Sequence, residues 1–242
     1  MNDSVGVCST LQFQTFEREA QHQHSNQQQI ETFNGADIVA SPRSALIKRG
    51  ADMIIASLAL LLLSPLLIAI AVLIRAESPG PILFKQPRYG FGERIFNICK
   101  FRTMRVHMTD AVCERQTSRD DVRLTRVGSL LRKHSLDELP QLFNVLRGEM
   151  SVVGPRPHAL STRVEGLLLD DAVAGYTQRF FVKPGITGWA QVNGWRGELD
   201  TIEKLRQRLQ FDLDYIARGS LTMDLWIIWL TFLCVIRDPH AY

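Results

Sequence analysis

The sequence predicts a mostly helical α/β protein in which one membrane helix precedes a small polar domain. Its 242 residues suit one domain with an appendage. An uncharged apolar run of 22 residues occupies positions 53–74, and short strand-like and helix-like patterns follow residue 78. The chain therefore divides into a tail at 1–45, a membrane helix at 46–76 and a polar domain at 77–242.

Composition narrows the class of protein. The chain has 28 basic and 25 acidic side chains, with 45% hydrophobic and 22% charged residues. These fractions exclude a disordered chain, a collagen-like chain and a multi-span transporter. Four separated cysteines without a CxxC pair indicate neither a zinc ribbon nor a disulfide framework, so a reducing, cytoplasm-facing compartment is expected.

Charge is distributed unevenly along the chain. Residues 1–47 carry a net charge of −3, whereas residues 85–156 carry fourteen basic and eight acidic side chains, a net charge of +6. A basic block favours an anionic partner such as nucleic acid, a lipid headgroup or a phosphorylated small molecule. A solvated basic face is the alternative.

The tail at 1–45 is polar and low in complexity, so we expect it to be disordered. It lacks the basic start and the apolar stretch of a secretory signal.

The apolar run at 53–74 is predicted to enter a membrane, since a straight helix of that length spans about 33 Å. Basic residues flank both of its ends, so the positive-inside rule favours no orientation for a crossing. Ser64-Pro65 lies at its midpoint, where Pro65 removes a helical hydrogen bond and the Ser64 hydroxyl can cap a freed carbonyl. Two structures remain open: a re-entrant hairpin of two half-helices, or a kinked span.

Two strands are predicted at the start of the polar domain. Residues 82–84 form a short apolar run, and residues 94–102 alternate between polar and apolar side chains, as in an exposed strand. The alternation places Lys100 and Arg102 on one face. The sequence contains neither GxGxxG nor GxxxxGK[ST], so neither a dinucleotide fold nor a P-loop is supported.

Helices are predicted at 128–134 and 139–147, with Ser135-Leu136-Asp137-Glu138 between them. One interpretation is a capping box, in which Ser135 and Glu138 exchange hydrogen bonds. The other is a pair of carboxylates near Arg132, suited to a nucleophile and a magnesium ligand that act on phosphates. The two interpretations are compatible.

Arg156 lies between two prolines in Gly154-Pro155-Arg156-Pro157. The prolines restrict the backbone, and a pre-positioned arginine suits bidentate recognition of phosphate. An ordinary loop arginine is the alternative. The turns at 182–194 either shape a nucleotide site or fold a loop over it.

The C-terminal part predicts two further helices. Residues 201–218 show an apolar stripe at helical spacing, and the apolar segment 225–236 is too short to cross a bilayer. Trp226 and Trp229 suit the headgroup zone, so we expect an amphipathic or partly inserted surface helix, with a core helix as the alternative. Asp212-Leu213-Asp214 resembles a DxD metal motif, but aspartates two apart on a helix point in different directions.

Three stretches identify a family. They are KFRTM at 100–104, SLDELPQLFNVLRGEMSVVGPRP at 135–157 and VKPGITGWAQVNG at 182–194. With these stretches and the Ser64-Pro65 run, residues 46–240 resemble the bacterial sugar transferases. That family comprises polyprenol-phosphate phosphoglycosyl transferases that begin exopolysaccharide and O-antigen assembly.

The resemblance implies a membrane segment that is re-entrant and broken at Ser64-Pro65. It implies a small cytoplasmic catalytic domain with interfacial helices at the inner membrane of a bacterium. It also assigns site residues: Asp137 as the nucleophile, Glu138 as the ligand of Mg²⁺, Arg132 and Arg156 as phosphate-binding residues, and Lys100 and Arg102 as further residues that line the site.

The implied reaction transfers a hexose-1-phosphate from a UDP-sugar to undecaprenyl phosphate through a covalent aspartyl intermediate, with release of UMP. The chain resembles the short, monotopic form, and residues 236–242 resemble the end of the exopolysaccharide members, which favour galactose or glucose. A catalytically inactive, membrane-docked scaffold of polysaccharide machinery is the alternative function. A nucleic-acid partner is not expected, because the charges are not interleaved with aromatic residues in a stacking pattern and such a partner would leave the membrane segment unexplained. Membrane lipid is an expected partner, and a homodimer is compatible with the sequence.

Overall fold

The computed structural model of the chain describes residues 42–106 and 122–237. Most of the regular structure is helical, with three two-stranded sheets among the described residues. The helices are α1 (Pro42–Glu77), α2 (Arg126–Lys133), α3 (Gln141–Arg147), α4 (Leu169–Ala172), α5 (Trp189–Val192), α6 (Ile202–Arg218) and α7 (Leu221–Arg237). The strands are β1 (Leu83–Tyr89), β2 (Ile95–Phe101), β3 (Ser151–Val153), β4 (Arg163–Val164), β5 (Leu167–Leu168) and β6 (Gly185–Thr187).

Helix α1 is the apolar segment that the sequence predicts. Within the described ranges it is the one helix long and apolar enough to cross a membrane, and side chains such as Leu61 and Leu62 are exposed along its middle. The helix continues through Pro65, and the Ser64 hydroxyl donates to the Leu61 carbonyl at 2.8 Å. The local capping by Ser64 is therefore confirmed, whereas two separate half-helices are not seen.

The boundary between tail and helix differs from the prediction. Helix α1 begins at Pro42 rather than at residue 46. The prediction of a disordered tail otherwise concerns residues 1–41, which lie outside the described ranges.

Both ends of α1 contact the polar domain. Near its N-terminus, Arg49 donates to the carbonyls of Val145 and Leu146 at 2.6 and 2.9 Å. Near its C-terminus, Ile70 and Ile74 form a buried cluster with Phe101 of β2 and Leu131 of α2. Helix α1 is thus attached to the same domain at two separate places.

Strands β1 and β2 form an antiparallel hairpin in which Leu83 pairs with Phe101 and Tyr89 with Ile95. The prediction of an exposed second strand is wrong, because both faces of β2 contribute buried side chains. Helix α3 covers it through the fully buried Asn144, whose Oδ1 accepts from the Cys99 amide at 2.9 Å. A buried polar side chain on a neighbouring helix leaves no trace in the alternation of the strand.

Helix α6 is a core helix. The Thr201 hydroxyl accepts from the Lys204 amide at its N-terminus, and the predicted apolar stripe is buried at Leu205, Leu209 and Ile216. This stripe packs on the domain itself, and Arg208 and Asp212 of the same helix are buried with it.

Helix α7 has two different faces. Asp224 and Ile227 are buried against the domain, whereas Trp226, Trp229 and Phe232 are exposed. The Asp224 carboxylate accepts from Lys48 of α1 at 2.6 Å and from the Tyr215 hydroxyl at 2.7 Å. This pairing attaches α7 to the N-terminal part of α1.

Candidate active site

Asp137 and Glu138 lie on a short 3₁₀ turn, Leu136–Glu138, between α2 and α3. The capping-box interpretation is wrong: Ser135 adopts a left-handed backbone with φ of 55°, and its side chain makes no cap bond. Its hydroxyl instead accepts from Arg196 at 2.8 Å. A non-glycine residue in this conformation costs about 1–3 kcal/mol, so the surrounding contacts must hold the turn in place.

Glu138 is clamped by two cations from distant parts of the sequence. The Lys100 ammonium donates to Oε1 at 2.8 Å, and the Arg156 guanidinium donates to both carboxylate oxygens, to Oε2 at 2.9 Å. Although burial acts in the opposite direction, the charges of Arg156 and Lys100 hold the pKa of the Glu138 carboxyl well below its usual range. Glu138 is therefore ionised at neutral pH.

Asp137 is buried beside this clamp. Burial raises the pKa of its carboxyl, and although the Lys100 charge opposes that shift, the Glu138 charge adds to it. Arg132 and Arg156 also act on Asp137 by charge. Arg132 is held by a bond from its Nε to the Thr103 hydroxyl at 3.0 Å. The structure thus gathers two carboxylates and three of the four cations that the sequence predicts for this site.

Arg102 lies elsewhere, which corrects the expectation that it lines the site with Lys100. Its guanidinium donates to the carbonyls of Ser78 and Pro79 at 2.7 and 2.8 Å and to that of Ile74 at 3.4 Å. The last carbonyls of a helix lack intrahelical partners and carry partial negative charge. Arg102 therefore stabilises the C-terminal end of α1 and is buried there.

The loop that carries Arg156 is fixed by residues that the sequence did not single out. Arg179 donates to the Arg156 carbonyl at 2.7 Å, and Arg88 donates to the Pro157 carbonyl at 3.3 Å. Arg179 is itself buried and paired with Asp212 at 2.8 Å. The backbone of Arg156 is therefore held from both sides while its side chain reaches Glu138.

A neutral histidine completes this buried layer. His158 Nδ1 lies 2.7 Å from the Tyr176 hydroxyl and 2.8 Å from Arg179. Burial and the charges of Arg179 and Arg208 lower the pKa of His158 well below its usual value. The ring therefore accepts a hydrogen bond from Arg179 without adding charge behind the site.

The two aspartates of the DxD sequence point in different directions, as their spacing on a helix predicts. Asp212 faces the interior toward Arg179, whereas Asp214 accepts from Trp189 Nε1 at 3.1 Å and pairs with Arg218 at 2.8 Å. They do not form a joint metal site.

The segment 182–194 packs against the loop that carries Arg156. Its strand β6 runs parallel to β3, and the backbone of Gly185 and Gly188 packs directly on Gly154. A Cβ at either position would collide with Gly154 backbone atoms. The glycines of this segment therefore permit a close approach that places Pro155 and Arg156.

Residues that could hold a divalent cation are few. Within the described ranges no group of three or more His, Cys, Asp and Glu side chains is placed to bind a metal. Mg²⁺ is commonly bound through one or two carboxylates together with substrate phosphates and water. Asp137 and Glu138 fit that pattern when a phosphate supplies the other oxygens.

The arrangement suits a membrane-associated protein that acts on phosphorylated substrates, because its cations surround two carboxylates and an apolar helix adjoins the domain. The chain belongs to the bacterial sugar transferase family, whose model matches residues 43–238.

Curated relatives share long stretches with this chain. It is 55% identical over 197 residues to an undecaprenyl-phosphate glucose phosphotransferase of Komagataeibacter xylinus, covering 81% of this chain and 37% of the relative. It is 47% identical over 219 residues to a UDP-glucose:undecaprenyl-phosphate glucose-1-phosphate transferase of Escherichia coli (strain K12), covering 88% and 46%. An exopolysaccharide production protein, PSS, of Rhizobium leguminosarum bv. phaseoli is 46% identical over 186 residues, covering 77% and 93%. The chain therefore spans less than half of the first two relatives.

Proposed function

We propose that this protein transfers a hexose-1-phosphate from a UDP-sugar to undecaprenyl phosphate, with release of UMP, as an initiating step of exopolysaccharide or O-antigen synthesis. The observation that carries the proposal is the buried Asp137 carboxylate beside Glu138, Lys100, Arg132 and Arg156. A carboxylate can attack phosphorus, and the nearby cations offset the charge of an approaching phosphate.

In the first step, Asp137 attacks the β-phosphorus of the UDP-sugar. A bond forms between a carboxylate oxygen and that phosphorus, while the bond to the bridging oxygen of the diphosphate breaks. UMP leaves with the bonding electrons, and the phosphosugar remains on Asp137 as an acyl phosphate. Arg132 and Arg156 stabilise the charge on the transferring group.

In the second step, a phosphate oxygen of undecaprenyl phosphate attacks the same phosphorus. The acyl phosphate bond breaks, Asp137 regains its carboxylate, and the product is an undecaprenyl diphosphate sugar. The buried position of Asp137 limits hydrolysis of the intermediate by water.

Glu138, with Asp137 beside it, would hold Mg²⁺ through its carboxylate together with substrate phosphate oxygens. When bound, the ion would offset negative charge on the phosphates. The chain's own contribution is to place Glu138 next to the nucleophile and to keep it ionised, as its depressed pKa indicates.

The membrane acceptor requires a site close to the bilayer surface, and two features support such a placement. The middle of α1 exposes apolar side chains, and the outer face of α7 exposes Trp226 and Trp229. Tryptophan favours the headgroup region. We place the domain on the cytoplasmic face of the inner membrane, with α7 lying at the interface.

A re-entrant path for α1 is part of the proposal. If α1 were straight, Arg49 and Ile74 would lie about 37 Å apart, since each residue adds 1.5 Å. Both positions contact one small domain, Arg49 through Val145 and Ile74 through the Phe101 cluster. A bend at Ser64-Pro65 brings the two ends toward one side of the membrane.

The sugar is assigned from similarity. The relatives from Komagataeibacter xylinus and Escherichia coli are named for glucose and for undecaprenyl phosphate. We propose glucose as the first candidate, with galactose as the second.

The test is UMP release by the detergent-purified protein with Mg²⁺ and undecaprenyl phosphate, across a panel of UDP-sugars. We expect release with UDP-glucose, and loss of at least about 1,000-fold in Asp137→Asn, because the nucleophile is absent. Asp171→Asn is the matched control, since Asp171 is exposed. A radiolabelled sugar retained on the wild-type chain, and absent from Asp137→Asn, identifies the intermediate.

Two results would contradict the proposal. Full activity in Asp137→Asn would exclude Asp137 as the nucleophile. Absence of UMP release with every UDP-sugar, with a known transferase active in parallel, would favour the inactive scaffold.

A further inference from the structure

We propose that, in the free protein, Lys100 and Arg156 bond to the Glu138 carboxylate and so compete with Mg²⁺ for it. The ion would then bind Glu138 only together with a diphosphate. The diphosphate would draw both cations from Glu138 and leave its oxygens to the ion. This inference deepens the proposed function and rests on it for the identity of the ligand. It concerns binding, however, and is tested without turnover.

The first observation is that both oxygens of Glu138 are already bonded. Oε1 accepts from Lys100 at 2.8 Å and also from Arg156, and Oε2 accepts from Arg156 at 2.9 Å. The Glu138 side chain is only 14% exposed. A cation arriving alone must therefore displace two charged donors from a largely buried carboxylate, which leaves those donors without their partner.

The second observation is that the backbones of both cationic residues are fixed while their charged ends can move. Lys100 pairs with Phe84 in the β1–β2 hairpin, and the Arg156 carbonyl is held by Arg179. The side chains of Lys100 and Arg156 are 19% and 33% exposed, so their ends can meet a ligand that enters from solvent. An exchange of partners therefore needs rotation of two long side chains and no movement of the fold.

The third observation is the charge of the site. Lys100, Arg132 and Arg156 contribute three positive charges, and Asp137 and Glu138 contribute two negative charges. A divalent cation alone would raise the net charge from +1 to +3, whereas a diphosphate ester with two negative charges alone would lower it to −1. Only the two ligands together restore the original charge, so each should favour the binding of the other.

The coupling makes a specific prediction for binding. Mn²⁺ serves as a paramagnetic substitute for Mg²⁺, and UDP serves as the diphosphate. By electron paramagnetic resonance of protein-bound Mn²⁺, corrected for the Mn²⁺–UDP complex in buffer, we expect the full-length protein to bind the ion at least about tenfold more tightly with UDP than without it.

Variants test the cause of the coupling. Lys100→Met and Arg156→Met should each increase the affinity of the nucleotide-free protein for Mn²⁺ by about tenfold, because Glu138 then lacks a competing donor. Lys133→Met is the matched control, since Lys133 is exposed on α2, and should leave the affinity unchanged. Adding Glu138→Gln to Arg156→Met should abolish the gain and thereby locate the ion.

Several outcomes would overturn the proposal. The first is that the wild-type protein binds Mn²⁺ with the same affinity in the presence and in the absence of UDP. Another is an unchanged affinity in both methionine variants when circular dichroism shows that they are folded. If the protein is an active enzyme but fails these binding tests, the proposed function stands and only the exchange of partners is wrong. If the protein passes the binding tests but is inactive, the proposed reaction is wrong.

Discussion

The two adjacent carboxylates of the site are expected to affect stability in opposite directions. The pKa of Asp137 is raised, so at neutral pH its ionised form opposes folding, whereas the depressed pKa of Glu138 indicates net stabilisation. Asp137→Asn should therefore raise the midpoint of thermal unfolding by a few degrees. Glu138→Gln should lower the free energy of unfolding by about 1–3 kcal/mol, since Lys100 and Arg156 lose a charged partner. Calorimetry in one detergent measures both changes, and a lower midpoint in Asp137→Asn would contradict the first expectation.

The raised pKa of Asp137 also predicts a pH dependence of activity. Attack on phosphorus requires the carboxylate, so the rate should fall as pH decreases through this pKa, at a higher pH than for an ordinary aspartate. The pH profile of kcat/KM for the UDP-sugar reports the group in the free enzyme. An infrared pH titration of the carboxyl stretch, as the difference between wild type and Asp137→Asn, tests the assignment. If the midpoint of the pH profile differs from the midpoint of the infrared titration, a group other than Asp137 causes the loss of activity at low pH.

Prediction from sequence succeeded where spacing along the chain decides the neighbours. Asp137 and Glu138 are adjacent, so the sequence itself places them on one turn. The approach of Arg156 to Glu138 follows from the family resemblance and not from spacing, since the two residues are 18 positions apart. Prediction failed for Arg102, because a strand face can serve two different neighbours, here the 3₁₀ turn and the end of α1. Arg179 was missed because its contact with Arg156 joins residues 23 positions apart that no local pattern relates.

At the scale of elements, the loop that carries Arg156 depends on the 3₁₀ segment Tyr176–Phe181 and on α6. Arg179→Lys keeps a charge near Asp212 but lacks the planar fork that also reaches the Arg156 carbonyl. We expect KM for the UDP-sugar to rise about fivefold to tenfold with a smaller change in kcat, because Arg156 is less well positioned for phosphate. Steady-state kinetics measure the split between KM and kcat.

The control for that substitution is Arg206→Lys, an arginine of α6 whose side chain is 43% exposed and whose partner is Glu203. It should leave both constants unchanged. If Arg179→Lys folds and also retains wild-type constants, Arg179 does not position the loop.

Helix α7 is expected to lie against the membrane with its tryptophan face. Trp226 and Trp229 are exposed, whereas the opposite side of the helix is buried through Asp224 and Ile227. In vesicles with brominated lipids, the fluorescence of the protein should be quenched, and replacement of Trp226 and Trp229 by Phe should remove most of that quenching. Replacement of Trp189 and Trp195 by Phe is the matched control and should retain it. If replacement of Trp189 and Trp195 removes most of the quenching instead, the membrane contacts a different face of the protein.

At the scale of the whole molecule, the sequence predicted the kinds of elements better than their surroundings. The apolar helix, the second strand and the helices around Asp137 appear close to their expected bounds, since each has a local periodicity. The first strand, predicted at 82–84, instead extends from Leu83 to Tyr89 and pairs with β2 along that whole length. The burial of β2 and the parallel pairing of β3 with β6 did not follow from the sequence, because both depend on segments distant in the chain. The course of α1 through a membrane likewise depends on the lipid around it and stays a prediction.

The topology of α1 is tested by labelling both of its ends. Ala45 and Ala76 are exposed and lie on either side of the apolar segment. If the helix turns back at Ser64-Pro65, Ala45→Cys and Ala76→Cys should each gain one maleimide–polyethylene glycol tag in inverted inner-membrane vesicles, relative to the parent protein. Neither should gain a tag in intact spheroplasts, because the reagent does not cross the membrane. Two attachments of the helix to one domain, through Arg49 and through Ile74, favour this outcome. Labelling of the two positions from opposite sides would instead establish a kinked span, and the domain would then have to meet the membrane through the C-terminal end of α1 and α7 alone.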